Sequence, residues 1–113
     1  MTDGIVAIPI DDSGQVDPRW GRAGKVAVGQ VANASLLSWE VFPVHWDRLH
    51  DEGGEGMHHA RIARFLIDQR VTLVAANHMG PGMRHMLDRM GIPVVLGAVG
   101  GAQEFIEDHL HEM

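Results

Sequence analysis

The chain has 113 residues, 45% hydrophobic and 21% charged, which suits one folded domain over residues 1–113 and excludes a disordered or fibrous protein. Fifteen acidic against nine basic residues give a formal net charge of -6, disfavouring a broad nucleic-acid or anionic-membrane surface. There is no cysteine, so disulfides, thiolate metal sites and cysteine nucleophiles are excluded, and any transition-metal centre must use histidine, carboxylate or backbone ligands.

MTDGIVAIPID has an acidic residue where a secretory signal carries basic ones, and its apolar run is too short to span a bilayer, so the reading is cytoplasmic. GIVAIPI, 4–10, predicts a buried strand in which Pro9 marks a strand end or a sheet edge, because proline cannot donate to a ladder. DDSGQVDPRWGRAG then reads as a turn-rich loop. KVAVGQVA, 25–32, and SLLSWEVFPV, 35–44, predict an antiparallel hairpin across a short connection. HWDRLHDEGGEG, 45–56, has no sustained period and ends in glycines, predicting a flexible excursion from the sheet.

From Met57 to Gln69, Ile62, Ala63, Leu66 and Ile67 form a helical apolar stripe opposite Arg61, Arg64 and Asp68. VTLVAA, 71–76, fits a buried strand. MRHMLDRM, 83–90, fits a helix with Met83, Met86, Leu87 and Met90 on one face, where methionine acts as core filling. IPVVLGAVG, 92–100, supplies a fifth strand, and the terminal segment a helix with Phe105, Ile106, His109 and Leu110 inward. Three strands followed by helix, strand, helix, strand, helix predict an α/β fold: a mixed five-stranded sheet with flanking helices.

In open α/β sheets, ligands meet the carboxyl ends of strands, where helix N-termini present unpaired N–H groups. His78 follows the 71–76 strand, and Gly80, Pro81 and Gly82 precede the next helix, so AANHMGPGM can cradle an anion or a metal cluster. The plain alternative is a turn and a helix cap, since the stretch is neither a Rossmann fingerprint nor a P-loop. GGEGMHH, 53–59, also leads into a helix. The wheel through Ile62 and Leu66 puts His59 near the centre of the buried face and His58 at its edge, one as ligand and the other as its supporting partner. His45 and His50 flank WDRL at a spacing that does not specify zinc. His85 is expected in solvent, His109 in a hydrogen-bonded core role and His111 at a solvated end.

Asp11, Asp12 and Asp17 read as a solvated acidic loop without calcium-loop spacing. Trp39 belongs in the sheet, whereas Trp20 in DPRWGRAG can hold a cofactor-facing loop. Arg19 and Arg22 can attract an acidic metallocluster or organic acid, or make an ordinary loop salt bridge. Catalytic signals are scarce: Ser13, Ser35 and Ser38 have no assignable triad, and no paired-acid spacing marks a hydrolase.

Taken in order, IPIDDSGQVDPRWGRAG, GEGMHHARIARFL and VAANHMGPGMRHMLDRMGIPVVLG resemble the dinitrogenase iron-molybdenum cofactor biosynthesis family, over about residues 4–106. The resemblance implies a ribonuclease H-like α/β topology, which does not itself imply nuclease activity. It places Asp17, Arg19, Trp20, Gly21 and Arg22 on the family's D-x-R-[FW]-G-R-like loop and matches Gly54 and Gly56 to a glycine-rich helix start. In the later G-H-x-G-P pattern, His78, Gly80 and Pro81 are kept and Asn77 stands in place of glycine. The implied function is noncatalytic binding or carriage of an iron-sulfur or iron-molybdenum cluster. Cofactor contacts are then expected from Arg19, Trp20, Arg22, Gly56, His58, His59, His78, Gly80, Pro81 and Gly82, and metal contacts from His58, His59 and His78. A metallocluster assembly or recipient protein is the implied partner, and a homo-oligomer could place two loop sets together. A regulatory or protein-interaction domain without a cluster is the alternative, and a metal-dependent hydrolase would need a defined His/Asp centre.

Overall fold

The structure, a computed structural model, describes residues 3–110. Among these residues a five-stranded sheet runs in the order β3-β2-β1-β4-β5. β1 (Gly4–Ile10) pairs antiparallel with β2 (Lys25–Ala32), which pairs antiparallel with β3 (Ser35–Pro43). On its other side β1 pairs parallel with β4 (Leu73–Ala75), and β4 pairs parallel with β5 (Val94–Val95). The α-helices are α1 (Trp46–Leu49), α2 (Gly54–Asp68), α3 (Pro81–Arg89) and α4 (Ala102–Asp108). This mixed sheet with flanking helices agrees with the ribonuclease H-like arrangement implied by the sequence resemblance.

Alternation along the central strands divides the interior in two. Ala7 and Val74 face a core with Ile62, Leu66, Met83 and Leu87 from α2 and α3. Val6, Ile8, Leu73 and Ala75 face the opposite way, against Ala102 and Ile106 of α4. Val6, Ala7 and Ile8 are wholly buried because β1 is covered on both faces. No helix among the described residues is long and apolar enough to cross a membrane.

Several expectations are corrected. Pro9 lies in the central strand, near its end, and not at a sheet edge. Its carbonyl accepts the Asp17 N–H at 3.0 Å, so the side of the strand where its missing N–H would point faces the 16–17 segment. That stretch lies beyond the β1–β4 pairing of Val6 with Leu73 and Ala7 with Val74, so proline sacrifices no bond to β4. The hairpin turn uses Asn33 and Ala34, both at positive φ (54° and 58°), a two-residue turn whose twist matches the flanking strands. A bulge between Gln30 and Val31 lets Val31 face Leu36 and leaves Leu37 unpaired and exposed.

The 45–56 segment contains α1, whose Trp46 is among the largest fully buried side chains. Its ring makes edge contacts with Trp20 at 5.3 Å and Phe65 at 5.6 Å, so this stretch is anchored to the core by aromatic burial. α2 starts at Gly54, three residues before the apolar period begins, and Ile67 on its predicted inner stripe is 62% exposed. Helix existence followed the 3.6 period; the buried face was set by what packs there.

Candidate functional site

A cavity of about 520 Å³ opens at the carboxyl end of the parallel strands. Three segments distant in sequence wall it: Pro18 to Arg22, the start of α2 with the preceding His50, and His78 to Met83. Backbone pairing of Arg19 with His78 joins the first segment to the third. The short 3-10 turn Trp20–Arg22 turns the first segment over the end of the sheet, and Trp20 is 3% exposed beneath it.

Asp17 is 5% exposed, not solvated as the acidic-loop reading held. Its carboxylate accepts the Arg19 backbone N–H at 2.9 Å and the guanidinium at 3.3 and 3.4 Å. This hydrogen bond, aided by the charge of Asp17, raises the Arg19 pKa above the ordinary arginine value. The guanidinium is thereby tethered at the rim while 61% of its side chain remains exposed. Arg22, also exposed, adds a second cation to the wall.

The adjacent histidines of α2 exchange their expected places. His58 is 6% exposed and does not line the cavity. Its Nε2 donates to the Gly21 carbonyl at 2.6 Å, which leaves Nδ1 to accept from Arg61 Nη1 at 3.0 Å. Arg61 Nη1 also donates to the Leu49 carbonyl at 3.0 Å. His58 therefore has both ring nitrogens engaged in joining α2 to the Trp20–Arg22 turn, which makes it a positioning residue and not a direct metal contact. His59 is the histidine that lines the cavity, together with His50 and His78. The wheel placed both imidazoles on one face, but a carbonyl supplied by a distant turn captured only one of them.

Gly80, Pro81 and Gly82 lie in the third wall. Gly80 precedes α3 without a side-chain cap, and Pro81 occupies the first turn, so early N–H groups of α3 are left to backbone, water or ligand. A methyl group on Gly82 would stand 3.4 Å from His59 Cε1 and 3.7 Å from Glu55 Oε1, ordinary contact distances that place both side chains beside this glycine. Gly56, in contrast, is exposed outside the wall, and a Cβ there would meet nothing within 4 Å. Asn77 donates from Nδ2 to the Ala98 carbonyl at 3.2 Å, so the residue in glycine's place ties this loop to the segment after β5.

Other histidines have local roles. His85 is exposed, and His109 bonds the Phe105 carbonyl at 2.8 Å while stacking on its ring at 4.1 Å. His45 caps α1 in the left-handed region without lining the cavity, and His111 lies outside the described residues. Glu55, Met79 and Met83 line the cavity although the sequence reading did not single them out as site residues. Glu55 carried one usable signal, its position one turn before His59; Met79 carried only its neighbour His78.

The donor set decides what kind of group fits. Without cysteine, a conventional four-thiolate cluster site is excluded. Among the described residues, no three His, Cys, Asp or Glu side chains are grouped to hold a metal ion. The cavity offers instead two arginines, three imidazoles, the thioethers of Met79 and Met83, and one carboxylate, on a mostly apolar floor. That combination fits an anionic group held by charge-assisted hydrogen bonds with few direct metal bonds. Trp20 Nε1 is buried without a hydrogen-bond partner among the described residues, an unusual cost at the base of this wall.

The chain belongs to the dinitrogenase iron-molybdenum cofactor family, whose model matches residues 4–112. Solved structures with the same fold include the apo form of the orange protein from Desulfovibrio gigas: 20% identity, TM-score 0.78, covering 96% of this chain and 88% of that one. PH0822 is 22% identical at TM-score 0.77, covering 95% and 90%. A Thermotoga protein provisionally assigned as NifB, TM1290, is 24% identical at TM-score 0.71, covering 96% and 88%. No curated protein matches the sequence.

Proposed function

We propose that the protein is a noncatalytic carrier of an iron-sulfur or iron-molybdenum cluster, held in the cavity at the carboxyl end of the sheet. The observation that carries this reading is the convergence of Arg19, Arg22, His59 and His78 on one cavity in a chain of net charge -6. An acidic protein repels anions over most of its surface, and this local cationic concavity is where an anionic cluster is attracted. His59 and His78 supply direct contacts. Arg19 and Arg22 donate to sulfide or oxide, Gly80 and Gly82 allow close approach, and Pro81 starts the helix behind them. His58 and Trp20 hold the first wall in place.

Few protein-to-metal bonds favour exchange over permanent residence, as carriage requires. An assembly or recipient protein is the partner of such a role, in a cytoplasmic setting. Asn77 in glycine's place supports a second reading, a regulatory or interaction domain that keeps the fold without a cluster.

Anaerobic titration of folded wild-type, H58A, H59A and H78A proteins with each cluster separates the two. Saturable uptake lost in H59A and H78A is expected, with a smaller loss in H58A. No uptake, or equal uptake by all four, would refute the carrier role and favour the interaction domain.

A further inference from the structure

We propose that Glu55 is the release element of this cavity, a carboxylate that competes with bound anionic cargo for His59 and keeps the cargo exchangeable. The inference deepens the carrier reading and rests on it for the identity of the cargo. Among the described residues, Glu55 is the only carboxylate lining the wall, amid two arginines and three histidines. Its Oε1 lies 3.8 Å from His59 Nε2, one helical turn away, too far for a direct hydrogen bond but within range of a charge interaction with the imidazolium form of the ring. Both groups also lie beside Gly82, as the distances from its constructed Cβ indicate.

Glu55 sits in the first turn of its own helix α2, where a carboxylate is favoured with or without ligand. Its side chain is 83% exposed, whereas that of His59 is 25% exposed. The histidine is thus the more enclosed member of the pair and the carboxylate the one free to move into water. An anion arriving at His59 meets the negative charge of Glu55 at close range and displaces it outward; return of the carboxylate favours departure. An exposed pair of this kind is weak, which suits a group that must yield to cargo.

The test compares wild type with E55Q and D88N, each of which removes one negative charge, with folding verified by circular dichroism. Asp88 is an exposed α3 residue outside the cavity. The probes are inorganic sulfate, followed through the imidazole proton resonances, and a preformed thiolate-ligated cubane iron-sulfur anion, followed anaerobically by absorbance and by stopped-flow removal with a competing dithiol. E55Q is expected to bind both probes up to roughly fivefold more tightly, chiefly through slower release. The advantage shrinks as salt rises, and D88N behaves as wild type.

Binding by E55Q equal to or weaker than wild type, or equal tightening by D88N, overturns the proposal. Tighter sulfate binding with no cluster uptake by any variant upholds the competing role of Glu55 and refutes the cluster cargo. Cluster uptake and release unchanged by E55Q retain the carrier and refute the release element.

Discussion

The two faces of the sheet are packed with different materials. The face under α4 is aliphatic at its centre, with Val6, Ile8, Leu73, Ala102 and Ile106. The face under α2 and α3 is aromatic and thioether-rich: Trp20, Trp46, Met79 and Met83 are buried there, with Phe42 and Phe65 at its margin. Only the second face continues into the cavity, and His58, its buried polar side chain, binds a turn of the wall. Branched aliphatic packing makes a scaffold, whereas large rings and flexible thioethers can close a core around a concave edge.

The comparison is tested most severely by removing one large side chain from each face. Trp46→Ala is expected to destabilise by about 3–5 kcal/mol and Ile106→Ala by about 2–5 kcal/mol, measured by urea unfolding. Only the tryptophan variant should lose anion binding among the molecules that remain folded, because Trp46 braces Trp20. Equal binding losses in both would erase the distinction between scaffold and site.

His58→Ala sharpens the comparison at the polar tie. It leaves the Gly21 carbonyl without its imidazole donor and is expected to cost about 1–3 kcal/mol. A stability matching wild type in urea would show that the tie contributes nothing. Ala34→Gly, at the distal hairpin, should instead stabilise by about 0.5–1 kcal/mol, since alanine is strained at its φ of 58°. A lower unfolding midpoint in that variant would contradict the turn geometry.

The smallest effect concerns Asp11, in the loop that follows β1. A side-chain hydrogen bond from Ser13 is the chief cause that lowers its carboxyl pKa from 3.8, with backbone N–H groups of Ser13, Gln15 and Gly14 assisting. The resulting stabilisation is present above the unfolded value near 3.8 and is lost as pH falls through the lower folded value. Asp11→Asn should therefore weaken the acid dependence of stability slightly. A carboxyl NMR midpoint at or above 3.8 in the wild type would be inconsistent with that bonding.

Much of the fold was legible because periodicity is local. A continuous apolar run marked β1, strand-like residues on either side of a short polar connection marked β2 and β3, and the spacing of Met83, Met86, Leu87 and Met90 marked α3. The expected fifth strand over 92–100 contracts to Val94–Val95, because later residues turn back to bond Asn77, Ala76 and Val16. The helical character of 46–49 escaped notice because four residues are too few to display a period. At the site, the order of motifs identified the segments that meet, but not which member of His58 and His59 would face the cavity.

By itself, the sequence determined the absence of thiolate chemistry, the acidic charge balance, the succession of the strands and the three longer helices, and the family resemblance. These follow from composition and short-range pattern. Only the tertiary structure decided that Asp17 is buried beneath Arg19, that His58 bonds Gly21, and that Glu55 stands beside His59 and Gly82. A side chain's role depends on the donors, charges and empty space around it, and chain crossing brings those neighbours from distant positions.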